Sequence, residues 1–237
     1  MKAPINPSPV KAMILAAGRG SRLRPLTDTL PKPLIPVCGK PLIEYHIEKL
    51  AAIGITEIII NHAWLGDVLE AQLSMGERWG VNIHYSPEPE GGLETAGGII
   101  KALPLLGDAP FLVVNGDVYC DFSFETLLNQ AQKMVEDAAC LAHLILVPSP
   151  AHNQTGDFGL TEEQRVIEEG NHTFAGLSVL SPDLFKHYPV EFLKLAPILR
   201  EAMQQKQVSG TLYTGYWSDV GTAERLEETE RKLGCIK

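Results

Sequence analysis

Positive charge is scarce in this chain. Its 237 residues hold 20 Lys and Arg against 29 Asp and Glu, a formal net charge of −9 at pH 7. That balance argues against loose attachment to nucleic acid or to an anionic membrane surface. Long apolar runs are also missing, and nothing approaches the ~18 residues that span a bilayer. The N-terminus, MKAPINPSPVK, has three prolines and no apolar h-region, so it does not read as a signal peptide. Cysteine is sparse and dispersed. Cys38, Cys120, Cys140 and Cys235 form no C-x-x-C pair, and no histidine lies near them at zinc-ligand spacing. Free, mostly buried thiols in a reducing cytoplasm are the expectation. No internal repeat, low-complexity tract or long linker occurs.

What is present is ordinary for a globular protein: 45% hydrophobic and 21% charged residues. A chain of this size buries roughly 70% of its unfolded surface and needs neither disulfide nor metal to fold. Residues 1–10 are expected to be a disordered leader and 11–237 a single domain.

Within that domain, short Val/Ile/Leu runs alternate with amphipathic segments. KAMILA (11–16), EIIINH (57–62), VNIHYS (81–86) and FLVVNGD (111–117) read as strands. PLIEYHIEKLAAIG (41–54), GDVLEAQLSMG (66–76), ETAGGIIKALPLL (94–106) and SFETLLNQAQKMVED (123–137) read as helices. Pro41 suits a first turn and Gly54 a C′ position. This alternation predicts a Rossmann-like α/β fold, a mostly parallel sheet covered on both faces. Past residue 138 the pattern turns to strands joined by turns, closed by helices at 193–207 and 222–234. A first lobe (11–137) and a small additional lobe (138–237) follow.

The scarce positive charge is concentrated. Between Lys11 and Lys40 stand six basic residues and one acid, a segment of +5 that leaves −14 for the remainder. Ala16, Ala17, Gly18, Gly20 and Ser21 follow the first strand, where open parallel sheets bind ligands. Their small side chains let successive N–H groups approach an anion. Arg22 adds a bidentate fork for phosphate, and Lys32 a point charge stiffened by Pro31 and Pro33. A solvated basic loop is the plain alternative. Walker A is absent. The dinucleotide fingerprint lacks its third glycine, since Leu23 stands there. RLRPLTDTLPKP then holds three prolines and cannot form the required helix, which disfavours an NAD-type oxidoreductase.

Two carboxylates could serve a cation. Asp117 ends a strand and Asp219 lies in YWSDVGT, so only the fold could bring them together. Mg²⁺ takes one or two carboxylates plus phosphate and water. Each aspartate could equally cap a turn or helix.

The longer string L-A-A-G-x-G-x-R-L-x-P-L-T, followed by P-K-P-L-x-P-V and G-K-P-L-I, resembles the sugar-1-phosphate nucleotidyltransferases. The resemblance implies a loop that wraps a nucleoside triphosphate, with Arg22 and Lys32 on its phosphates. It implies Mg²⁺ on Asp117 and Asp219, and a catalytic role for Arg22, Lys32 and Asp117. It also implies base reading by main chain near Gly92 and Leu93, with Thr95 opening the next helix. Pro87 stands where several relatives carry a base-contacting Gln. The segments LETAGGI, VNGDV, HNQTGDFGL, TFAGLSVLSPDLF and LAPILREAM resemble the members that take UTP and serve peptidoglycan recycling. Asn115, Asp157, Gly159, Glu168 and Thr173 fall where such an enzyme meets the sugar 1-phosphate. A monomer or small homo-oligomer is expected. Another sugar 1-phosphate, of glucose or mannose type, stays open, as does a nucleotide-sugar-binding module without turnover.

Overall fold

The computed structural model describes residues 10–150 and 153–236. The expected leader falls, except for Val10, outside them. The N-terminal half runs β1 (Ala12–Leu15), β2 (Pro36–Val37), β3 (Lys40–Pro41), α1 (Leu42–Ala52), β4 (Glu57–His62), α2 (Gly66–Leu73), β5 (Asn82–Pro87) and α3 (Glu94–Leu106). It continues with β6 (Phe111–Asn115), β7 (Val118–Cys120) and α4 (Phe124–Glu136). The rest comprises β8 (Ala142–Pro148), β9 (Phe158–Leu160), β10 (Val166–Leu180), α5 (Leu195–Gln204), β11 (Val208–Leu212), β12 (Trp217–Asp219) and α6 (Ala223–Lys232).

The main sheet has the order β11-β8-β10-β6-β1-β4-β5, with β9 on β10. β1 pairs parallel with β4 and β6, and β4 with β5, as continuous apolar strands require. β10 runs antiparallel to β6 and β8, so the sheet is mixed but mostly parallel. Period-two alternation divides β1 between two cores. Ala12 and Ile14 join α1, α2 and α4 on one face, and Met13 joins α3 and α5 on the other. Burial of each such Leu or Ile contributes about 1.5–3 kcal/mol.

Local signals behaved as their chemistry demands. Gly54 follows α1 with φ +82°, a left-handed position that suits glycine. Pro41 lies one residue before the first turn rather than in it. Three readings need correction. The strands expected past residue 138 are not all joined by turns, because one 15-residue β10 carries Val166 through Leu180 without a break. Asp219 does not cap the last helix; Thr222 does, its Oγ1 accepting from the Arg225 N–H. The cysteines are not all free. Cys38 and Cys235, 197 positions apart, are disulfide-bonded, while Cys120 and Cys140 are free and buried. Spacing carries no trace of a bridge between a hairpin turn and the end of the last helix.

Two buried histidines set an acid limit on stability. His46 stacks on Phe124 at a centroid distance of 6.2 Å. His143 lies between Ser209 Oγ at 2.8 Å and Thr211 Oγ1 at 3.0 Å. Burial first, then nearby lysines, pulls both down to about 4. A lowered folded-state value stabilises the protein above the unfolded value near 6.5. That contribution, on the order of 3 kcal/mol each, is lost as pH falls toward 4. Urea midpoints should therefore drop between pH 6.5 and 4, and a flat profile over that window would count against this account.

Candidate active site

A cleft of about 510 Å³ opens beyond the carboxyl ends of β1, β4 and β6. Ala16, Ala17, Gly18, Gly20, Ser21, Arg22, Lys32, Gly92, Thr95, Asn115 and Asp117 all line it. Eleven sequence-derived candidates from four separate segments thus converge on one space.

The basic residues divide their work. Arg19 donates to the Thr27 carbonyl at 2.6 Å and to Asp28 at 2.7 Å, and lies 3.8 Å over the Trp64 ring. Arg24 also reaches Asp28, at 3.2 Å. These two hold the loop's shape. Lys32 behaves otherwise: it is buried, and its ammonium pairs with Asp117 across the cleft. Gly20 makes this possible. Its φ is +68°, and a Cβ there would stand 2.9 Å from Thr27 and 3.0 Å from Lys32. The loop therefore packs directly on the lysine stem.

The β7–β12 ribbon sets the two aspartates one register position apart in the backbone, although only Asp117 lines the cleft. Asp219 is in register with Val118, the neighbour of Asp117, and the Val220 N–H donates to the Asp117 carbonyl at 2.7 Å. Arg225 from α6 donates to both Asp219 oxygens at 2.6 Å. A Cβ on Gly221 would sit 2.6 Å from Arg225 and 3.0 Å from Arg22, so both guanidinium groups gather around this glycine. Cations and carboxylates here alternate within one small region. Among the described residues no cluster of three or more His, Cys, Asp or Glu could hold a metal ion. Two carboxylates alone still suit a hard cation that completes its shell with phosphate and water.

A buried polar chain underlies the cleft. The Ala16 N–H donates to Asn61 Oδ1 at 2.9 Å, Asn61 Nδ2 donates to Glu88 Oε1 at 2.6 Å, and the Leu93 N–H donates to Glu88 Oε2 at 2.7 Å. The glycine-rich loop and the 88–93 loop are thereby joined through the end of β4. The paired glycines of ETAGG follow from this. A Cβ on Gly98 would lie 2.3 Å from Glu88 Oε1, and one on Gly97 would lie 2.0 Å from the Glu191 carbonyl. Neither Glu94 nor Thr95 caps α3; no side chain accepts at its N-cap, and Glu88 takes the Leu93 N–H instead. Sequence reasoning missed Asn61, Glu88 and Arg225. Single polar residues at strand ends have no periodicity, though Gly97-Gly98 inside a helix marks the close approach. Glu88→Gln is expected to leave one buried donor facing an amide N–H, at a cost of about 1–3 kcal/mol. Calorimetric melting with and without nucleotide would measure both the loss and its effect on the cleft.

Asn115, at the end of β6, meets a bulge in β10. Register shifts between Phe174 and Ser178, and a Cβ on Gly176 (φ +72°) would stand 2.7 Å from Asn115 Nδ2. The other candidates do not line the cleft. Asp157 accepts from Asn153 at 3.1 Å and from the Phe174 N–H at 2.9 Å, while Thr173 accepts from Asn153 at 3.0 Å. Gly159 lies where β9 crosses β10; a Cβ on Gly170 would stand 2.2 Å from its Cα. Glu168 is exposed and accepts from Gln204 at 3.0 Å. Part of the HNQTGDFGL segment, His152, is outside the described residues.

The family model described as Nucleotidyl transferase matches residues 11–234. N-acetylmuramate alpha-1-phosphate uridylyltransferase of Neisseria meningitidis serogroup B is 53% identical over 233 residues, 96% of this chain and 100% of that protein. Mannose-1-phosphate guanyltransferase of Yarrowia lipolytica is 36% identical over 226 residues, and this chain spans 61% of its length. Among solved structures, a chain assigned as a glucose-1-phosphate thymidylyltransferase from Bacillus anthracis superposes with a TM-score of 0.82. It shares 21% identity, with 96% of each chain covered. HddC from Yersinia pseudotuberculosis, complexed with GMP-PN, gives 0.75 at 20% identity, covering 94% of this chain and 99% of its own. These structural likenesses establish the shared fold.

Proposed function

Because the chain belongs to the nucleotidyl transferase family, we propose that it transfers a uridylyl group from UTP to N-acetylmuramic acid 1-phosphate. One observation carries the reading: the glycine-rich loop, Arg22, Lys32 and Asp117 line a single cleft in a chain 53% identical to a uridylyltransferase of that name. A phosphate oxygen of the sugar 1-phosphate attacks the α-phosphorus of UTP in line. The bond from that phosphorus to the bridging oxygen breaks, and pyrophosphate leaves with the electron pair. The nucleophile is already an anion at neutral pH, so no general base is needed. Positioning and charge neutralisation supply the rate.

Arg22 is the fork for phosphate oxygens, and Lys32 is a cation fixed against Asp117. Asp117 and Asp219, one register position apart at the end of the β7–β12 ribbon, would hold Mg²⁺. When bound, Mg²⁺ neutralises charge on the triphosphate oxygens. Asn115 would meet the acceptor from the end of β6. Asp157, Gly159, Glu168 and Thr173 belong to the second lobe and would reach the acceptor only at its outer side. No helix among the described residues is long and apolar enough to cross a membrane; a cytoplasmic monomer or small homo-oligomer fits soluble substrates.

Incubation with UTP, Mg²⁺ and N-acetylmuramic acid 1-phosphate should yield UDP-N-acetylmuramic acid and one equivalent of pyrophosphate by mass spectrometry. A preference for GTP with mannose 1-phosphate, the pair suggested by the more distant relatives' names, would overturn the substrate assignment.

A further inference from the structure

Phe192 is 62% exposed and yet lines the cleft. Its position is not that of a loose loop. The preceding residue presses its carbonyl against Gly97, where a Cβ would come within 2.0 Å. The following residue, Leu193, donates to the Leu93 carbonyl at 2.9 Å and accepts from Ala96 and Gly97 at 3.0 and 3.1 Å. Clamped on both sides to the first turn of α3, Phe192 is held at the cleft wall. A large aromatic fixed beside water there has a face without cover in the free protein.

Glu94, in the same first turn, also lines the cleft. Its φ is +61°, a left-handed conformation that costs a non-glycine residue about 1 kcal/mol or more. Glycine would fit this backbone without strain, so the side chain needs another explanation. An ionised carboxylate is an acceptor only. It suits the hydroxyl donors of a sugar and repels phosphate. Thr95 beside it offers a hydroxyl.

We propose that Phe192 and Glu94 form the acceptor-sugar subsite: the ring covers the apolar C–H face or a methyl-bearing substituent of the pyranose, and the carboxylate accepts from its hydroxyls. Phe192 enters from the chain's second half, immediately before α5, which packs on β10 and β11. The phosphate end of the cleft belongs to the β1 loop. The sugar end thus combines Glu94 of α3 with Phe192 from the chain's second half. This inference rests on the proposed function and narrows it by naming which residues select the sugar.

The test uses the full-length enzyme and the variants F192A, E94Q and E94G. Calorimetry follows N-acetylmuramic acid 1-phosphate and, separately, UTP. Steady-state kinetics with the same pair run alongside. F192A and E94Q should each weaken the sugar phosphate about tenfold, in Kd and KM, and leave the UTP values within twofold. E94G should weaken the sugar phosphate likewise while keeping or raising Tm, because backbone strain is relieved; a merely structural glutamate would not couple those two changes. Partial recovery is expected for F192Y. Should F192A weaken UTP instead, the ring covers the base and the subsite is wrong. Unchanged sugar-phosphate binding in all three variants also overturns it. Wild-type protein that binds the sugar phosphate without turnover would sink the proposed reaction and spare the subsite.

Discussion

Turnover of Lys32→Ala should fall on the order of 10²-fold or more, the usual effect of removing one preorganised contact to a transition-state charge. The geometry makes the case stronger than charge alone. The lysine stem is packed under Gly20, and its ammonium is pinned by Asp117. Arg19 and Arg24 do not take its place, since both are spent on Asp28. The fold should tolerate the loss, because the Asp117 side chain keeps 33% exposure and can be solvated. Lys32→Arg should recover turnover only in part, since a planar fork is not a compact point charge. Stopped-assay pyrophosphate release and a melting curve measure both. Wild-type kcat in the alanine variant would remove Lys32 from the chemistry.

Asp117→Asn is the second large effect, with kcat again lowered by on the order of 10²-fold. Volume is conserved and the β7–β12 hydrogen bond from Val220 goes to the main chain, so the local backbone should persist. What disappears is negative charge, and with it the Lys32 ion pair and half of the two-carboxylate set. The Mg²⁺ dependence should shift to higher concentration, and Asp219→Asn should shift it in the same direction. Chelation of divalent cations should abolish wild-type turnover reversibly. Because Lys32 and Asp117 touch, the double variant should lose less than the product of the single losses. An unchanged metal titration in Asp117→Asn would refute the assignment of this carboxylate.

The fold was largely legible because its signals are local and repeated. Continuous apolar strands, amphipathic helices and glycine after α1 each follow from short-range sterics or burial. The cleft was legible where many residues in one stretch share a purpose, as in 16–36. Features created by distant pairings were not. The Cys38–Cys235 bond joins positions 197 apart. Arg225 looks like an ordinary helix residue until Asp219 is opposite it. Phe192 reads as core by type, and only the folded chain shows its face bare. Conversely, Asp157 and Thr173 carry polar groups that their own segment uses, as their bonds to Asn153 and Phe174 indicate.

The relay from Ala16 through Asn61 and Glu88 to Leu93 has a kinetic consequence. Both of these cleft walls are tied to each other before any ligand arrives. Encounter then requires little rearrangement, and a guest loses little of its binding free energy to ordering its host. Differences among triphosphates should accordingly surface in how long each stays rather than in how fast each enters.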